Sequence, residues 1–257
     1  MMTVNAVDAF EDNYIWMVYR DDTDSVVIVD PGDAIPVLAW LDAQGRTPAA
    51  ILITHHHRDH TGGVSALRQR YDIPVYGPAL ESIDVVTHPL DGETVVELSD
   101  AGLRFEVLTV PGHTRGHIAY LSEDRLFCGD TLFTAGCGRL FEGTPAQMYR
   151  SLKKIAALPA NTLIYCAHEY TGENLQFAQV VEPNNNEIRD RANETRRLRQ
   201  MGQRTVPSEL STELKTNPFL RYNVAEVKAA AAAFSRQQLD SEAAVFASLR
   251  YWKDTLD

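Results

Sequence analysis

The sequence contains little cysteine: Cys128, Cys137 and Cys166 are the three among 257 residues. Their number is odd, they are widely spaced and they form no paired motif, which argues against a disulfide framework. Each has small or apolar neighbours, and this favours a buried side chain over a reactive thiol. We therefore expect a reducing compartment and a cytoplasmic location.

Long hydrophobic runs and an excess of basic charge are also missing. The first residues have neither the basic region nor the apolar core of a signal peptide, and the longest later apolar run, around AAAAAF, is too short to cross a bilayer. The 24 Lys and Arg residues against 35 Asp and Glu residues give a formal net charge of −11. This acidity argues against non-specific binding to nucleic acid or anionic membranes. An anionic ligand must then be bound by a local cluster of cations.

The chain has two regions of different character. Up to about residue 170, short β-type runs such as SVVIVD and AAILIT alternate with turns and with helical patterns such as PAQMYRSLKKIAAL. After Pro183, polar and alanine-rich helical patterns follow, and Ser241 is placed to cap the last helix. We predict an α+β fold with two domains, a catalytic domain over residues 1–170 and a helical domain over residues 171–257.

The segment THHHRDH, residues 54–60, contains four of the eight histidines of the chain. It lies where a predicted strand gives way to a helix. Because side chains alternate along an extended chain, His55 and His57 should project to one side and His56 to the other. A single histidine at a strand end is most often a hydrogen-bonded loop residue, but a cluster of so many ligand types has little structural use. The segment therefore predicts a metal site from which His56 is left out.

Further metal-binding side chains follow later predicted strands, in VPGHTRGH, FCGDTLF and CAHEYT. We expect His117 to orient the site or begin the next strand rather than to bind metal. Hydrolytic zinc sites use imidazole and carboxylate ligands and leave a position for water, and two metals need about twice that set with a bridging ligand. The sets that can form are His55, His57 and His113 for a first metal, and Asp59, His60 and His168 for a second, with Asp130 as the bridge.

These motifs together resemble the signature of the metallo-β-lactamase superfamily, T-H-x-H-x-D-H followed by a later His, Asp and His. Five further stretches, DNYIW, VDPG, AGCGRLFEGT, NPFLR and RYWKD, are similar to the glyoxalase II family of hydroxyacylglutathione hydrolases. The resemblance covers essentially the whole chain. It implies a four-layer αββα sandwich, with metals at one edge of two facing sheets, followed by a helical substrate-binding domain.

The function that the resemblance implies is a metal-dependent thioesterase. Such an enzyme hydrolyses S-D-lactoylglutathione to glutathione and D-lactate in methylglyoxal detoxification. Two divalent metal ions are expected; zinc is the first choice, and His and Asp ligands also accept iron or manganese. Asp59 is expected to orient the hydroxide nucleophile as well as to bind metal. A thiolate leaves without strong help from a general acid, since the pKa of a simple thiol is about 8.5. No obligate protein partner is implied.

Substrate contacts are also implied by the resemblance, at Arg139, Tyr170, Arg250 and Lys253. Arg250 and Lys253 lie three residues apart on one face of the last predicted helix; by sequence alone, they could instead complement the helix dipole. Arg139 stands where some relatives have lysine, and its guanidinium is suited to donate two parallel hydrogen bonds to a carboxylate. Phe141 stands where some relatives have tyrosine, so it is carried over only as a packing contact.

Other functions fit part of the pattern. A persulfide dioxygenase with a single iron would retain HHHRDH but would need neither His168 nor the helical tail. A lactamase or lactonase would share the hydrolytic site without the terminal Arg250 and Lys253. A non-catalytic metal-binding interaction module would not need ligands for two metals, since structural zinc sites are closed and mononuclear. Asp30, at a strand end, either supports a metal ligand or simply ends the strand.

Overall fold

The computed structural model describes residues 1–256, and they form two compact units. Unit 1 comprises Met1–Thr109 and Thr114–Gly129, and unit 2 comprises Val110–His113 and the chain from Asp130 onward. Among the described residues, none of the helices combines the length and the apolar character needed to cross a membrane. The domain division proposed between residues 170 and 171 stays a prediction.

The first sheet of unit 1 has six strands in chain order. They are β1 (Met2–Ala9), β2 (Asn13–Arg20), β3 (Ser25–Val29), β4 (Thr47–Leu52), β5 (Val75–Pro78) and β6 (His88–Leu90). The first three strands pair antiparallel, and β3 to β6 pair parallel. Parallel neighbours need crossover connections, and these connections carry helices and loops past the ends of the strands.

Helices cover one face of this sheet. They are α1 (Ala34–Gln44), α2 (Arg58–Thr61) and α3 (Val64–Arg70). The Asp33 side chain caps α1 by accepting a hydrogen bond from the backbone N–H of Ile35, and the helix ends at Gly45 with a left-handed φ of 63°. Apolar side chains of α1 and α3 join those of β1 to β5 in one buried cluster. The turns that connect these strands and helices are therefore held by a packed scaffold.

A second set of strands in unit 1 forms an antiparallel meander. Its members are β7 (Val95–Leu98), β8 (Leu103–Thr109), β9 (Ile118–Ser122) and β10 (Arg125–Gly129). Alternate residues of β8 are buried, and Phe105 packs edge-to-face against Tyr120 and Phe127 at ring-centroid distances of 6.4 and 6.3 Å. Tyr120 satisfies its buried hydroxyl by donating to the Ile53 carbonyl at 2.8 Å.

Unit 2 combines short strands with the helices of the tail. The elements are β11 (Leu132–Phe133), β12 (Gly136–Cys137), α4 (Pro145–Ala156), β13 (Leu163–Cys166), α5 (Thr171–Val181), α6 (Asn186–Gln200), β14 (Ser208–Glu209), α7 (Leu210–Thr216), α8 (Ala225–Ser235) and α9 (Glu242–Asp254). Thr144 and Gln147 form a capping box at the start of α4, and the Ser241 hydroxyl caps α9 as predicted. Apart from the short strand β14, which pairs with β13, the regular elements of the tail are helices.

Candidate active site

The histidine segment of unit 1 lies in bent backbone after β4, which ends at Leu52. The histidines are therefore beyond the strand itself, contrary to the extended geometry that the alternation of side chains assumes. The turn nevertheless brings His55 and His57 together, with Nε2 of the first 3.1 Å from Nδ1 of the second. His55 is fully buried and its ring stacks on that of His117 at 4.6 Å. His117 thus packs beside a predicted ligand, as an orienting residue would.

Asp59 and His60 lie in the single turn of α2. Oδ2 of Asp59 is 3.3 Å from Nε2 of His60 and accepts a hydrogen bond from the Asn13 side-chain amide at 3.0 Å. Asn13 begins β2 and belongs to the DNYIW motif. A role for Asn13 was not predicted from the sequence, although the DNYIW motif was the available signal. It fixes the carboxylate that is predicted to orient the nucleophile.

Asp30 supports this segment from the end of β3. Its buried carboxylate accepts hydrogen bonds from the backbone N–H and the hydroxyl of Thr54, at 2.8 and 2.7 Å, and Oδ2 lies 3.0 Å from Nδ1 of His60. The next turn residue, Gly32, must be glycine, because a Cβ there would lie 1.8 Å from the backbone oxygen of Asp59. The VDPG motif therefore packs directly against THHHRDH. Of the two interpretations of Asp30, the geometry favours support of a candidate ligand.

Glu81 holds the same segment through its backbone. Its carboxylate accepts hydrogen bonds from the N–H groups of His56 and Gly116, at 2.6 and 3.1 Å, and from the Thr114 hydroxyl. Burial raises the pKa of this carboxyl, and the hydrogen bonds partly oppose that rise. No motif marks Glu81 in the sequence. It joins the loop of residues 54–57 to the loop of residues 114–117.

Unit 2 contributes the remaining predicted ligands. His113 Nε2 lies 3.5 Å from Oδ2 of Asp130, and His168 Nε2 lies 3.4 Å from Oδ1 of the same residue. All three side chains are buried. Nδ1 of His113 is 2.8 Å from the Arg139 carbonyl oxygen, a partner that leaves Nε2 for other contacts. One carboxylate thus presents a separate oxygen to each histidine, which is one of the arrangements that a bridging carboxylate adopts.

The segment after Asp130 is held by residues of the NPFLR motif and of α7. The Asn217 amide donates to the carbonyl oxygens of Phe133 and Gly136, at 3.2 and 2.9 Å. Glu213, fully buried, accepts from the backbone N–H of Ala135 at 2.7 Å, and burial raises the pKa of its carboxyl. These contacts give the NPFLR motif a structural role. They fix the loop that leads to the GCGR stretch.

A cavity of about 790 Å³ in unit 2 brings the predicted substrate contacts together. Two predicted metal ligands, His113 and Asp130, are part of its wall. Every side chain that the resemblance marks for substrate binding lines it as well, namely Arg139, Phe141, Tyr170, Arg250 and Lys253. Cationic side chains therefore line the same cavity as predicted metal ligands, in an otherwise acidic protein.

The aromatic residues of the cavity pack on the histidines. Tyr170 stacks on His168 with ring centroids 4.8 Å apart, and the Phe141 ring meets His113 edge-on at 5.2 Å. Phe141 is 62% exposed, so part of its ring is accessible to a ligand.

The buried Arg250 is anchored next to Cys137. Its guanidinium donates to the Cys137 carbonyl oxygen at 2.8 Å. Burial raises the pKa of the Cys137 thiol to about 11, and the adjacent guanidinium only partly opposes this rise. All three cysteines are free thiols and buried, in agreement with the prediction of buried side chains.

Comparison with known proteins matches two family models to the two parts of the chain. Residues 10–168 match the metallo-beta-lactamase superfamily, and residues 169–256 match the hydroxyacylglutathione hydrolase C-terminus. A hydroxyacylglutathione hydrolase of Pseudomonas paraeruginosa is 54% identical over 259 residues, which cover 99% of each chain.

Solved structures share the fold at lower identity. The crystal structure of ETHE1 from Myxococcus xanthus is 26% identical with a TM-score of 0.65, covering 86% of this chain and 84% of its own. The crystal structure of TTHA1623 in a di-iron-bound form is 25% identical with a TM-score of 0.59, covering 85% of this chain and 100% of its own. The predicted metallo-β-lactamase fold of class α+β, with a helical C-terminal region, is confirmed.

Proposed function

The chain belongs to the hydroxyacylglutathione hydrolase family of the metallo-β-lactamase superfamily, and we propose that it hydrolyses the thioester of S-D-lactoylglutathione to glutathione and D-lactate. This reaction serves methylglyoxal detoxification. The observation that carries the proposal is the cavity of unit 2, which is lined by Arg139, Arg250 and Lys253 together with His113 and Asp130. Glutathione has two carboxylates, and fixed cations beside a hydrolytic centre match that ligand.

Metal binding follows from the donor chemistry. The chain carries imidazole and carboxylate side chains for divalent metal on the metallo-β-lactamase fold. When bound, divalent metal ions would lower the pKa of water to about 7 and polarise a carbonyl group. We propose the ligand sets expected from the sequence, with His55, His57 and His113 for one metal, Asp59, His60 and His168 for the other, and Asp130 shared.

The side chains of this protein then have two roles, orientation of the nucleophile and binding of the substrate. Asp59, held by Asn13, orients the attacking oxygen. Arg139, Arg250 and Lys253 bind the carboxylates of the glutathione moiety, and Tyr170 contacts the substrate next to them. The thiolate leaves without an assigned proton donor, because the pKa of a simple thiol is about 8.5. The cavity residues therefore act in binding and orientation.

The competing functions are less well supported. The relatives named hydroxyacylglutathione hydrolase match along the helical tail as well as the metal-binding region. A lactonase, a lactamase or a persulfide dioxygenase does not require the tail cations Arg250 and Lys253. An interaction module does not require a hydrolytic donor set.

Four finer points are part of the proposal. We propose zinc as the metal, with iron and manganese as alternatives; the di-iron form of TTHA1623 shows that a similar fold can hold two irons. The substrate is a small glutathione thioester, and the enzyme needs no obligate protein partner. The relatives are bacterial, and the three cysteines are unbridged, which supports a cytoplasmic location.

The test is thioester hydrolysis by the purified protein. Metal-loaded enzyme should release free glutathione from S-D-lactoylglutathione, and the activity should be lost after chelation and restored by zinc. A β-lactam and a γ-lactone, tested under the same conditions, should be cleaved far more slowly. Absence of glutathione release from protein whose metal content has been measured as full would refute the proposal.

A further inference from the structure

Asp254 contacts two of the proposed substrate-binding arginines at once. It is the last residue of α9, and its Oδ1 lies 2.9 Å from the terminal nitrogen Nη2 of Arg250 and 3.5 Å from Nε of Arg139. The two arginines come from different parts of unit 2, since Arg250 is on α9 and Arg139 follows β12. One carboxylate oxygen therefore links two guanidinium groups that are 111 residues apart, from Arg139 to Arg250.

The position of Asp254 is not explained by its own helix. An acidic residue in the last turn is opposed by the negative end of the helix dipole, where Lys253 is favoured instead. The order of the i,i+4 pair, with Arg250 before Asp254, is also the less favourable of the two possible orders. Local helix energetics thus disfavour an aspartate here. Its two guanidinium partners supply the favourable interaction.

Arg250 donates its two hydrogen bonds to Cys137 and Asp254 from different nitrogen atoms. Nη1 donates to the Cys137 carbonyl oxygen and Nη2 to Asp254, so the planar guanidinium is held at both ends. Arg139 is about half exposed, and it forms an ion pair with the same Asp254 oxygen that contacts Arg250. The cavity is lined by both arginines and by Lys253 but, within residues 1–256, Asp254 is not part of the lining.

We propose that Asp254 is a positioning residue that holds Arg139 and Arg250 in the geometry that binds the carboxylates of the substrate. This inference rests on the proposed glutathione thioesterase function. Arginine side chains lose rotamer freedom when they bind a ligand, and a side chain that is already fixed loses less. Asp254 would therefore improve binding of the charged thiol moiety and leave the hydrolytic step alone.

Two effects of removing the carboxylate have opposite signs, and this makes the proposal testable. The Asp254 charge repels an anionic substrate, so its loss alone would lower KM. Release of the two guanidinium groups would raise KM. Asp254 is about one-third exposed, and solvent weakens the charge effect there. We expect the positioning effect to dominate, with a net rise in KM of about tenfold.

The experiment compares steady-state kinetics of the metal-loaded wild type, Asp254→Asn and Asp254→Glu. With S-D-lactoylglutathione, Asp254→Asn should raise KM about tenfold with kcat within about twofold of wild type, and Asp254→Glu should recover part of the loss. A second substrate, the lactoyl thioester of the uncharged thiol N-acetylcysteamine, should show an unchanged kcat/KM in both variants. Asp240→Asn, which removes an exposed carboxylate from the same tail, is the matched control and should behave as wild type.

The outcomes distinguish failure of the positioning role of Asp254 from failure of the proposed thioesterase function. An unchanged or lower KM for the glutathione thioester in Asp254→Asn would show that Asp254 contributes only charge, and would overturn the positioning role. An equal loss with both substrates would show a structural role, and would overturn it too. If the wild type does not cleave the glutathione thioester at all, the proposed function fails, and the role of Asp254 fails with it.

Discussion

Oδ2 of Asp30 lies 3.0 Å from Nδ1 of His60, and both side chains are buried. A neutral imidazole that donates from Nδ1 keeps its lone pair on Nε2, the nitrogen available to a metal. Asp30 itself has a left-handed backbone, with φ of 52°. Such a conformation is uncommon for residues other than glycine and is tolerated best by Asn and Asp. The left-handed backbone at the strand end therefore places the Asp30 carboxylate within hydrogen-bond distance of His60.

Replacing Asp30 by Asn should weaken metal binding. Asparagine tolerates the same left-handed backbone, so the change removes mainly the charged acceptor. Loss of such a support costs about 10- to 100-fold in metal affinity. Competition with a zinc-binding indicator dye measures the affinity directly. Asp33→Asn, on the same turn, is the control: it retains the capacity to cap α1 and should leave affinity unchanged. Equal affinities in wild type and Asp30→Asn would contradict this support role.

The histidines of THHHRDH should differ in their effect on metal content. His56 is tied to the protein by its backbone N–H, which donates to Glu81, and alanine retains that bond. His56→Ala should therefore keep the metal content of wild type, whereas His57→Ala should lose at least one metal per chain. Elemental analysis of the purified variants, normalised to protein, measures this. Loss of metal from His56→Ala alone would exclude the proposed ligand set.

The hydroxyl that this chain lacks at Phe141 can be restored. Phe141 lines the cavity and is largely exposed, so a tyrosine fits there without repacking a core. One added hydrogen bond contributes about 0.5–1.5 kcal/mol, so Phe141→Tyr should lower KM for S-D-lactoylglutathione about two- to tenfold. Steady-state kinetics provides the measurement. Phe141→Leu keeps an apolar contact without the hydroxyl and should not lower KM; a fall in both variants would point to a steric cause.

The sequence predicted α4 as a separate helix, whereas it predicted α5 only as part of the helical domain over residues 171–257. The pattern PAQMYRSLKKIAAL predicts a helix, and α4 forms over Pro145–Ala156. In α5 the buried positions also follow helical spacing, but the buried face includes Thr171 and Asn174. Polar residues on a buried face look like loop residues in a hydrophobicity pattern. Tertiary contacts, not local propensity, determine this helix.

The residues of the candidate site were predictable to different degrees. His55, His57 and their neighbours could be predicted because a dense cluster of ligand types is rare without metal. Glu81 could not, because its partner Gly116 is 35 positions away and the contact exists only in the folded chain. The contact of Asp254 with Arg139 could not be predicted either, because no sequence pattern indicates a second partner for a carboxylate at the end of a helix. Ligand types can be recognised in sequence, whereas the residues that orient them depend on tertiary structure.

The buried thiol of Cys137 should make stability depend on pH in the alkaline range. Burial raises its folded-state pKa from 9.0 to about 11, so the folded chain keeps a proton that the unfolded chain releases. The free energy of unfolding is unaffected by this group below about pH 9 and falls as pH rises from 9 toward 11. Each pKa unit corresponds to about 1.4 kcal/mol, so at pH 10.5 the loss is roughly 2 kcal/mol.

Urea unfolding followed by tryptophan fluorescence, at pH 8.0 and pH 10.5, measures this loss in wild type and Cys137→Ala. Alanine cannot ionise, so the variant should lose about 2 kcal/mol less than wild type between the two pH values, whatever its stability at pH 8.0. The comparison cancels other alkaline titrations, including that of Tyr149, whose pKa burial also raises. Return of wild type from pH 10.5 to pH 8.0 should restore its transition, which separates titration from chemical damage. Parallel losses in the two proteins would mean that the Cys137 thiol ionises in the folded state as readily as in the unfolded chain.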